Sequence, residues 1–303
     1  MGHLFRMLNF AKYLKQKGQD VLFLINSNEK TQEILTANKC KFEVVLLDDE
    51  SSCWEAKLID RHGFTHWIND RLNTSEAHLC NILTKGVKTI TFDDLGSGSK
   101  YCDINICGLF FSQKNLQGKK VLRGVEYLIL NPDINLYKRQ RTSLNNILVT
   151  LGGSDTYGVT IDVLKILKKH SIKATIHTGP SFKHQEELGK ELTDDFKVVN
   201  FMPSLIKEFS KYDLIITGGG ITPFEANASG LPCLIIANEQ FEVPNGEYLH
   251  KIGSSIFLGF YKNIDEDMFK SISQLDLTQM SKNGLLKLDT SAIEKIYKEV
   301  MIL

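Results

Sequence analysis

Two glycine clusters directly follow runs of apolar residues that are typical of buried strands. One, GGSD at 152–155, follows the run 147–151, and the other, GGGIT at 218–222, follows the run 214–217. Glycine lets backbone N–H groups come close to a phosphate, and the start of a following helix adds partial positive charge. Glycine is also common in tight strand-to-helix turns, but two clusters in one domain favour an anion-binding site. The candidate binding residues are Gly152, Gly153, Ser154, Gly219, Gly220 and Thr222.

The residues after the second cluster fit the beginning of a helix. Thr222 stands at the position of a capping residue, Pro223 at the first helical position and Glu225 at the third, which is a capping-box arrangement. On spacing alone, a structural role for Glu225 is the better interpretation. A carboxylate at this place also accepts hydrogen bonds from two hydroxyl groups of a ribose, so both roles stay open.

A histidine lies at the start of the first predicted helix, next to Gly2 and three residues before Arg6. The positive end of a helix disfavours protonation, so His3 there is expected to hold a neutral imidazole. A neutral imidazole is what a general base for water requires. A histidine this close to a terminus is by default a disordered surface residue, and the residue types alone leave both interpretations open.

Carboxylates follow two further predicted strands. Asp70 ends the strand 66–70, and Asp93 and Asp94 end the strand 89–94. Acids at strand ends either orient substrate hydroxyl and amide groups or cap the next helix. No group of His, Asp and Glu has the spacing of metal ligands, so no metal is predicted, and no cofactor either. The P-loop, GxGxxG and GxSxG motifs are absent.

Helices and strands alternate along the whole chain, which predicts doubly wound α/β layers with parallel sheets. Two such series are separated near residue 140, so we expect two Rossmann-like domains, 1–140 and 141–303, with a cleft between them. The predicted helices are 4–16, 29–38, 76–84, 158–170, 184–192, 203–210, 222–229 and 245–252. The predicted strands are 21–25, 42–47, 66–70, 89–94, 104–106, 126–130, 147–151, 173–177, 197–201, 214–217 and 233–237.

Composition excludes several classes of protein. The 303 residues carry 36 basic and 36 acidic side chains, and this balance argues against nucleic acid as the main partner. The sequence contains no apolar run of about 18 residues, so no transmembrane helix is predicted. The first residues lack the features of a signal peptide. The six cysteines form no CxxC pair, so we expect reduced thiols and a cytoplasmic location. The oligomeric state stays open.

Five segments together resemble the UDP-sugar hydrolases of pseudaminic acid biosynthesis, which cleave UDP from a 2,4-diacetamido-2,4,6-trideoxy hexose. Their relatives include polysaccharide-biosynthesis proteins and the GT-B glycosyltransferases, which have two Rossmann-like domains. The resemblance covers nearly the whole chain, and its most specific part is the last segment. The segments are GHLFRMLNFAKYLKQKG (2–18), THWINDRLNTS (65–75), TITFDDLGSGSKYCDINI (89–106), LVTLGGSDTYG (148–158) and ITGGGITPFEANASGLPCLIIANEQFE (216–242).

The resemblance implies roles for individual residues. His3 would activate water for attack on the anomeric carbon, Arg6 would support that site, and Glu225 would bind the uridine ribose. Both glycine clusters would hold the diphosphate of a UDP-sugar through backbone amides, without a metal. Further candidate substrate-binding residues are Gly2, Asp70, Asp94 and Asn238.

The sequence departs from the family pattern at three places. The family carries Asn-Gln where this chain has NEQFE at 238–242, and Arg where it has NPD at 131–133, so the substrate is expected to differ. The family's histidine loop also follows a central first strand, so we expect the first sheet to lack that strand. A glycosyltransferase that uses the same base on a sugar hydroxyl, and a catalytically silent nucleotide-sugar-binding protein, remain as alternatives.

Overall fold

The computed structural model describes residues 2–303 except 50, 110–114, 154, 180, 201 and 203. The helices are α1 (Gly2–Gln16), α2 (Glu29–Ala37), α3 (Trp54–His62), α4 (Glu76–Leu83), α5 (Val159–Lys169), α6 (Gln185–Glu191), α7 (Leu205–Glu208), α8 (Thr222–Ala228), α9 (Val243–Lys251), α10 (Asp267–Lys270), α11 (Leu277–Lys287) and α12 (Ala292–Met301). The strands are β1 (Leu22–Ile25), β2 (Lys41–Val44), β3 (His66–Asn69), β4 (Lys88–Phe92), β5 (Ile104–Cys107), β6 (Lys120–Arg123), β7 (Ile147–Thr150), β8 (Ala174–His177), β9 (Phe196–Val199), β10 (Leu214–Thr217), β11 (Cys233–Ala237) and β12 (Ser255–Phe260).

The chain divides into two compact units. Unit 1 comprises Met1–Ile129 together with Ser291–Leu303, and unit 2 comprises Leu130–Thr290. The sequence predicted a single change at residue 140, so the structure moves the boundary and returns the last helix to the first unit. The reason is packing: Ile293, Ile296 and Val300 of α12 belong to the same buried cluster as Phe10 of α1.

Unit 1 has two separate parallel sheets. Strands β3, β4, β5 and β6 form one sheet in that order, and β1 pairs with β2 in the other. Apolar side chains of β4 and β5, among them Ile90 and Ile104, pack between α1 and α12 to form the core. A groove of about 900 Å³ is lined by residues of β1, β3, α1 and α12. The sheet that carries Asp70 and Asp93 therefore ends at this groove.

Unit 2 has one parallel sheet of six strands in the order β12-β11-β10-β7-β8-β9. The chain leaves β7 toward β8 on one side and later returns to β10 on the other side. The β7–β10 pair is therefore the point at which strand order reverses, and ligands of doubly wound sheets bind beyond the carboxyl ends of such strands. Each of these two strands runs into one of the glycine clusters.

Several local predictions were wrong. Residues 126–130 were expected to form a strand, but Val125–Tyr127 is a short 3-10 helix, and the edge strand is β6 instead. Strand β6 has exposed Lys120 and Arg123 at its ends and one buried residue, Leu122, so it lacks the continuous apolar run by which other strands were found. Helix α3 and the elements after α9 were not predicted. No helix among the described residues is long and apolar enough to cross a membrane.

Candidate functional site

The first residues of α1 and the loop after β3 form a connected polar cluster in unit 1. His3 and Arg6 lie one turn apart and both contact Asp70. The His3 Nδ1 atom lies 2.7 Å from Asp70 Oδ1, and Arg6 donates to both carboxylate oxygens of Asp70, with Nε at 3.0 Å from Oδ2. The structure thus brings together three of the residues selected from sequence.

The hydrogen bond to Asp70 fixes which nitrogen of His3 is free. Arg6 Nη2 also lies 3.3 Å from this nitrogen. Because a carboxylate only accepts, we assign the Nδ1 proton to the shorter contact with Asp70, and Nε2 then has no partner among the described residues. The side chain of His3 is 49% exposed, whereas that of Asp70 is 7% exposed. His3 is thus reached by solvent and oriented by a buried carboxylate, an arrangement that suits a general base for water.

The carboxylate of Asp70 is held in its charged form. Burial by itself would raise the pKa of Asp70, but hydrogen bonds from His3 and Arg6 and the charge of Arg6 outweigh burial and lower this pKa below its usual value. Arg6 is buried too, and the bonds and charges of Asp70 and Asp93 raise the pKa of its guanidinium. Arg6 and Asp70 therefore form an ion pair at neutral pH.

Asp93, directly after β4, completes the cluster. The sequence analysis placed it at a strand end but did not select it as a substrate-binding residue. Arg6 Nη1 donates to Asp93 Oδ2 at 2.5 Å, and the Arg6 guanidinium lies 5.1 Å from the centre of the Phe92 ring. Asp93 adopts a left-handed backbone with φ of 54°, and its buried Oδ1 has no hydrogen-bond partner among the described residues. Strained backbone of this kind concentrates at functional sites.

The neighbouring candidates are placed differently. Asp94 is buried, and its Oδ1 accepts the backbone N–H groups of Thr74 and Gly96, both at 2.9 Å. It thereby ties the loop after β3 to the loop after β4 and does not contact Arg6. Gly2 begins α1 and has open space where a side chain would stand.

In unit 2, the loop after β7 is open on one side. A Cβ atom at Gly152 or Gly153 would have no neighbour within 4 Å, although Gly179 packs against the carbonyl oxygens of both. Gly152 has a φ of 94°, a backbone that favours glycine. Ser154 lies outside the described residues. Among the described residues, the space next to the Cα atoms of Gly152 and Gly153 is therefore open.

Next to the loop after β10, by contrast, the space is occupied by Glu242. Gly219 N–H donates to Glu242 Oε2 at 3.3 Å, and a Cβ atom at Gly219 would lie 2.7 Å from Glu242 Cβ. Gly220 has one neighbour, Glu242 Oε1, at 3.6 Å from such a Cβ atom. Glu242 was not selected from the sequence. Its position four residues after Asn238, in the segment that follows a predicted strand, was a signal that could have pointed to it.

Asn238 lies directly after β11 and contacts Glu242 and Leu151. Asn238 N–H donates to Glu242 Oε2 at 2.8 Å, its side-chain NH₂ donates to Leu151 carbonyl oxygen at 3.2 Å, and its buried Oδ1 has no partner among the described residues. Asn238 thus links the loop after β11 to the end of β7.

Helix α8 begins at Thr222, and Ile221 is the capping residue, without a side-chain cap. The capping-box expectation was therefore wrong. The carboxyl of Glu225 accepts a hydrogen bond from Asn131 N–H, and burial raises its pKa to about 7. With no capping role, Glu225 keeps acceptor capacity for a ligand. Among the described residues, no cluster of His, Cys, Asp and Glu could hold a metal ion.

No protein-family model matches the chain. The uncharacterized protein MJ1062 of Methanocaldococcus jannaschii is 29% identical over 278 residues, covering 84% of this chain and 57% of MJ1062. This chain therefore spans a little over half the length of that relative. The spore coat polysaccharide biosynthesis protein SpsG of Bacillus subtilis is 26% identical over 299 residues, covering 91% of this chain and 85% of SpsG.

Solved structures match the fold over the full length. MurG of Acinetobacter baumannii superposes with a TM-score of 0.74 at 14% identity, covering 100% of this chain and 96% of MurG. The UDP-GlcNAc 2-epimerase of Neisseria meningitidis, bound to UDP-GlcNAc, gives 0.66 at 11% identity, covering 100% and 97%. At such identities the likeness shows the fold alone. The predicted fold class is confirmed: the chain has the parallel-sheet α/β fold of the GT-B enzymes.

Proposed function

We propose that this protein hydrolyses a UDP-activated amino sugar of the diacetamido-trideoxy class, releasing UDP and the free sugar in surface polysaccharide or nonulosonic acid biosynthesis. The observation that carries the proposal is the exposed His3 imidazole, whose Nδ1 contacts Asp70 and whose Nε2 has no partner among the described residues. The similarity to a spore coat polysaccharide biosynthesis protein supports the pathway class. The fold shared with an epimerase bound to UDP-GlcNAc supports a UDP-sugar as the ligand.

The proposed reaction is a displacement at the anomeric carbon. Nε2 of His3 removes a proton from water while the water oxygen bonds to the anomeric carbon. The bond between that carbon and the β-phosphate oxygen breaks, and UDP leaves with the bonding electron pair. Asp70 stabilises the imidazolium that forms, because its carboxylate stays charged next to Arg6. The proton then passes from His3 to solvent.

In this proposal unit 2 binds the nucleotide. The open amides of Gly152 and Gly153 and the loop before α8, with Gly220 and Thr222, hold the diphosphate. Glu225 accepts the ribose hydroxyls, for which its carboxyl must be ionised. All six cysteines are free thiols, which supports a reducing compartment that we propose is the cytoplasm.

UDP release from UDP-diacetamido-trideoxyhexose tests the proposal directly. We expect UDP and free sugar to form in a one-to-one ratio with water as the only acceptor. Release that requires an added sugar acceptor would instead assign a glycosyltransferase. Binding of UDP without release, with or without an acceptor, would assign a silent binding protein.

The role of His3 is tested with His3→Ala. General-base catalysis contributes about 10²–10⁴-fold to a rate, so we expect kcat to fall by roughly that factor while the affinity for UDP stays unchanged. His66→Ala is the matched control, because His66 lies in unit 1 and does not contact Asp70. A kcat for His3→Ala within about threefold of wild type is too small a loss for a general base and would refute this role.

A further inference from the structure

The glycine cluster 218–220 surrounds a carboxylate of the protein's own chain. Glu242 Oε2 accepts hydrogen bonds from the backbone N–H groups of Asn238 at 2.8 Å, Gly219 at 3.3 Å and Glu239 at 3.4 Å. Three N–H groups that converge on one oxygen form a nest of the kind that binds anions. The carboxylate oxygen therefore has the surroundings that a phosphate oxygen of a ligand requires.

The fit around Glu242 explains the glycine at 219. A Cβ atom there would lie 2.7 Å from Glu242 Cβ and 2.9 Å from its carbonyl oxygen, which is too close for any other residue type. The open loop at Gly152 and Gly153 has no such neighbour. Of the two glycine clusters, one is free for a ligand and the other is already filled by an internal anion.

Opposing effects act on the pKa of the Glu242 carboxyl. Burial raises the pKa of Glu242, the N–H groups of Asn238, Gly219 and Glu239 lower it, and the nearby charge of Glu239 raises it, so that the pKa lies above its usual value. Its second oxygen, Oε1, makes no hydrogen bond to any described residue. An incoming anion therefore competes with this carboxylate for the same N–H groups.

We propose that Glu242 is an internal substitute for a ligand's phosphate oxygen, and that a nucleoside diphosphate binds by displacing it from the N–H groups of Gly219, Asn238 and Glu239. This inference rests on the proposed function, because it assigns the diphosphate of the UDP-sugar to a second set of amides. Displacement opposes binding, so Glu242 lowers the affinity for the diphosphate. It has no effect on a ligand without phosphate.

Isothermal titration at pH 8 compares Glu242→Gln with wild type. Glutamine keeps the side-chain oxygen but removes the charge, so we expect UDP to bind at least about tenfold more tightly, which corresponds to ~1.4 kcal/mol. Uridine, which has no phosphate, should bind equally to both proteins. Glu247→Gln is the control for net charge, since Glu247 is exposed on α9, and it should bind UDP as wild type does. The gain should shrink as the pH falls, because Glu242 itself becomes protonated.

The outcomes separate this inference from the proposed function. Equal or weaker UDP binding by Glu242→Gln would overturn the inference and leave the proposed function intact. If neither protein binds UDP, but Glu242→Gln binds inorganic pyrophosphate more tightly than wild type, the assignment to a UDP-sugar fails, while displacement of Glu242 by a diphosphate stands. If neither protein binds UDP or pyrophosphate, both proposals are overturned.

Wild-type protein offers a second measurement that does not depend on the folding of a variant. In ¹H–¹⁵N spectra at pH 8, saturation with UDP should shift the amide signals of Gly219, Asn238 and Glu239 together, because their acceptor changes from a carboxylate to a phosphate. The side-chain carboxyl ¹³C signal of Glu242 should move in the same titration. Constant signals at these positions in the UDP-saturated protein would overturn the inference.

Discussion

Unit 2 carries one sheet of six parallel strands, whereas the strands of unit 1 fall into a four-stranded and a two-stranded sheet. The central strands β7 and β10 are buried at every position. Strand β1 is equally apolar, yet all four of its residues are only partly buried. The two candidate sites are therefore held in different ways. Backbone ladders hold the glycine loops of unit 2, and an ionic cluster of side chains holds His3 in unit 1.

The groove in unit 1 lies beside β1 and β3, two strands that belong to different sheets. It is lined by apolar residues of β1 and β3 and by α1 and α12, and β1 pairs with β2 alone among the described strands. A two-stranded sheet is marginal by itself, so the comparison predicts that local stability differs strongly between β1 and β10.

Amide hydrogen exchange measures that difference, and we expect it to be the largest effect. Amides of β10 should open only by global unfolding of unit 2, with a free energy of about 5–15 kcal/mol. Amides of β1 should exchange at least roughly a thousandfold faster, because the two-stranded sheet opens locally. Equal protection of β1 and β10 would show that the separation of the sheets does not weaken unit 1.

The second prediction concerns the ionic cluster of unit 1. Replacing Arg6 by Ala leaves two buried carboxylates, Asp70 and Asp93, without their cation. Removing one partner of a buried ion pair costs about 3–5 kcal/mol, so urea unfolding of unit 1 should shift accordingly. Both tryptophans, Trp54 and Trp67, lie in unit 1, so tryptophan fluorescence follows that unit selectively.

A surface arginine provides the control. Arg61 pairs with Glu43 at 3.2 Å, and its side chain is 61% exposed. Exposed ion pairs contribute about 0–1 kcal/mol, so Arg61→Ala should shift the same fluorescence transition by no more than that. If the two variants unfolded alike, the cluster around Arg6 would not be what stabilises this part of unit 1.

Sequence predicted the architecture well because buried parallel strands have a continuous apolar signature. The runs that became β7, β10 and β11 are of this kind. Glycine clusters directly after β7 and β10 marked the ends of those two strands. The helix α12 shows the limit. This helix was not predicted, and nothing local in the sequence specifies α1 as its partner; their shared core places the end of the chain in unit 1.

The candidate site was predicted less completely, since its geometry depends on tertiary contacts. Strand ends located Asp70, Asp93 and Asp94 correctly, yet spacing did not show which of them meets Arg6. Asp93 and Asp94 are adjacent, and only the left-handed backbone of Asp93 directs one toward Arg6 and the other into the loop. Glu242 was missed because its amide partners lie on two different loops.

The two units should also respond to pH in opposite directions. Asp70 has a lowered pKa in the folded state, so its stabilisation of unit 1 is full above its unfolded pKa and is lost as the pH falls through the folded value. Glu225 has a raised pKa of about 7, so its contribution to unit 2 is full below its unfolded pKa and is lost as the pH rises through about 7. Of these two carboxyl groups, Glu225 is the one that titrates near neutral pH.

Glu225→Gln isolates that contribution and is the smallest of the expected effects. Glutamine stays neutral, so it avoids the charge that wild type must carry at high pH. Each pKa unit corresponds to 1.36 kcal/mol, so the variant should stabilise unit 2 by up to about 3 kcal/mol at pH 8 relative to pH 4. Hydrogen exchange of β10 at the two pH values measures this difference, after correction for the intrinsic rates.

The same variant should bind UDP more weakly, since an uncharged amide is a poorer acceptor for ribose hydroxyls than a carboxylate. A gain in stability without loss of UDP affinity would show that Glu225 is a buried carboxyl with no ligand, and the nucleotide site of unit 2 would then consist of backbone amides alone.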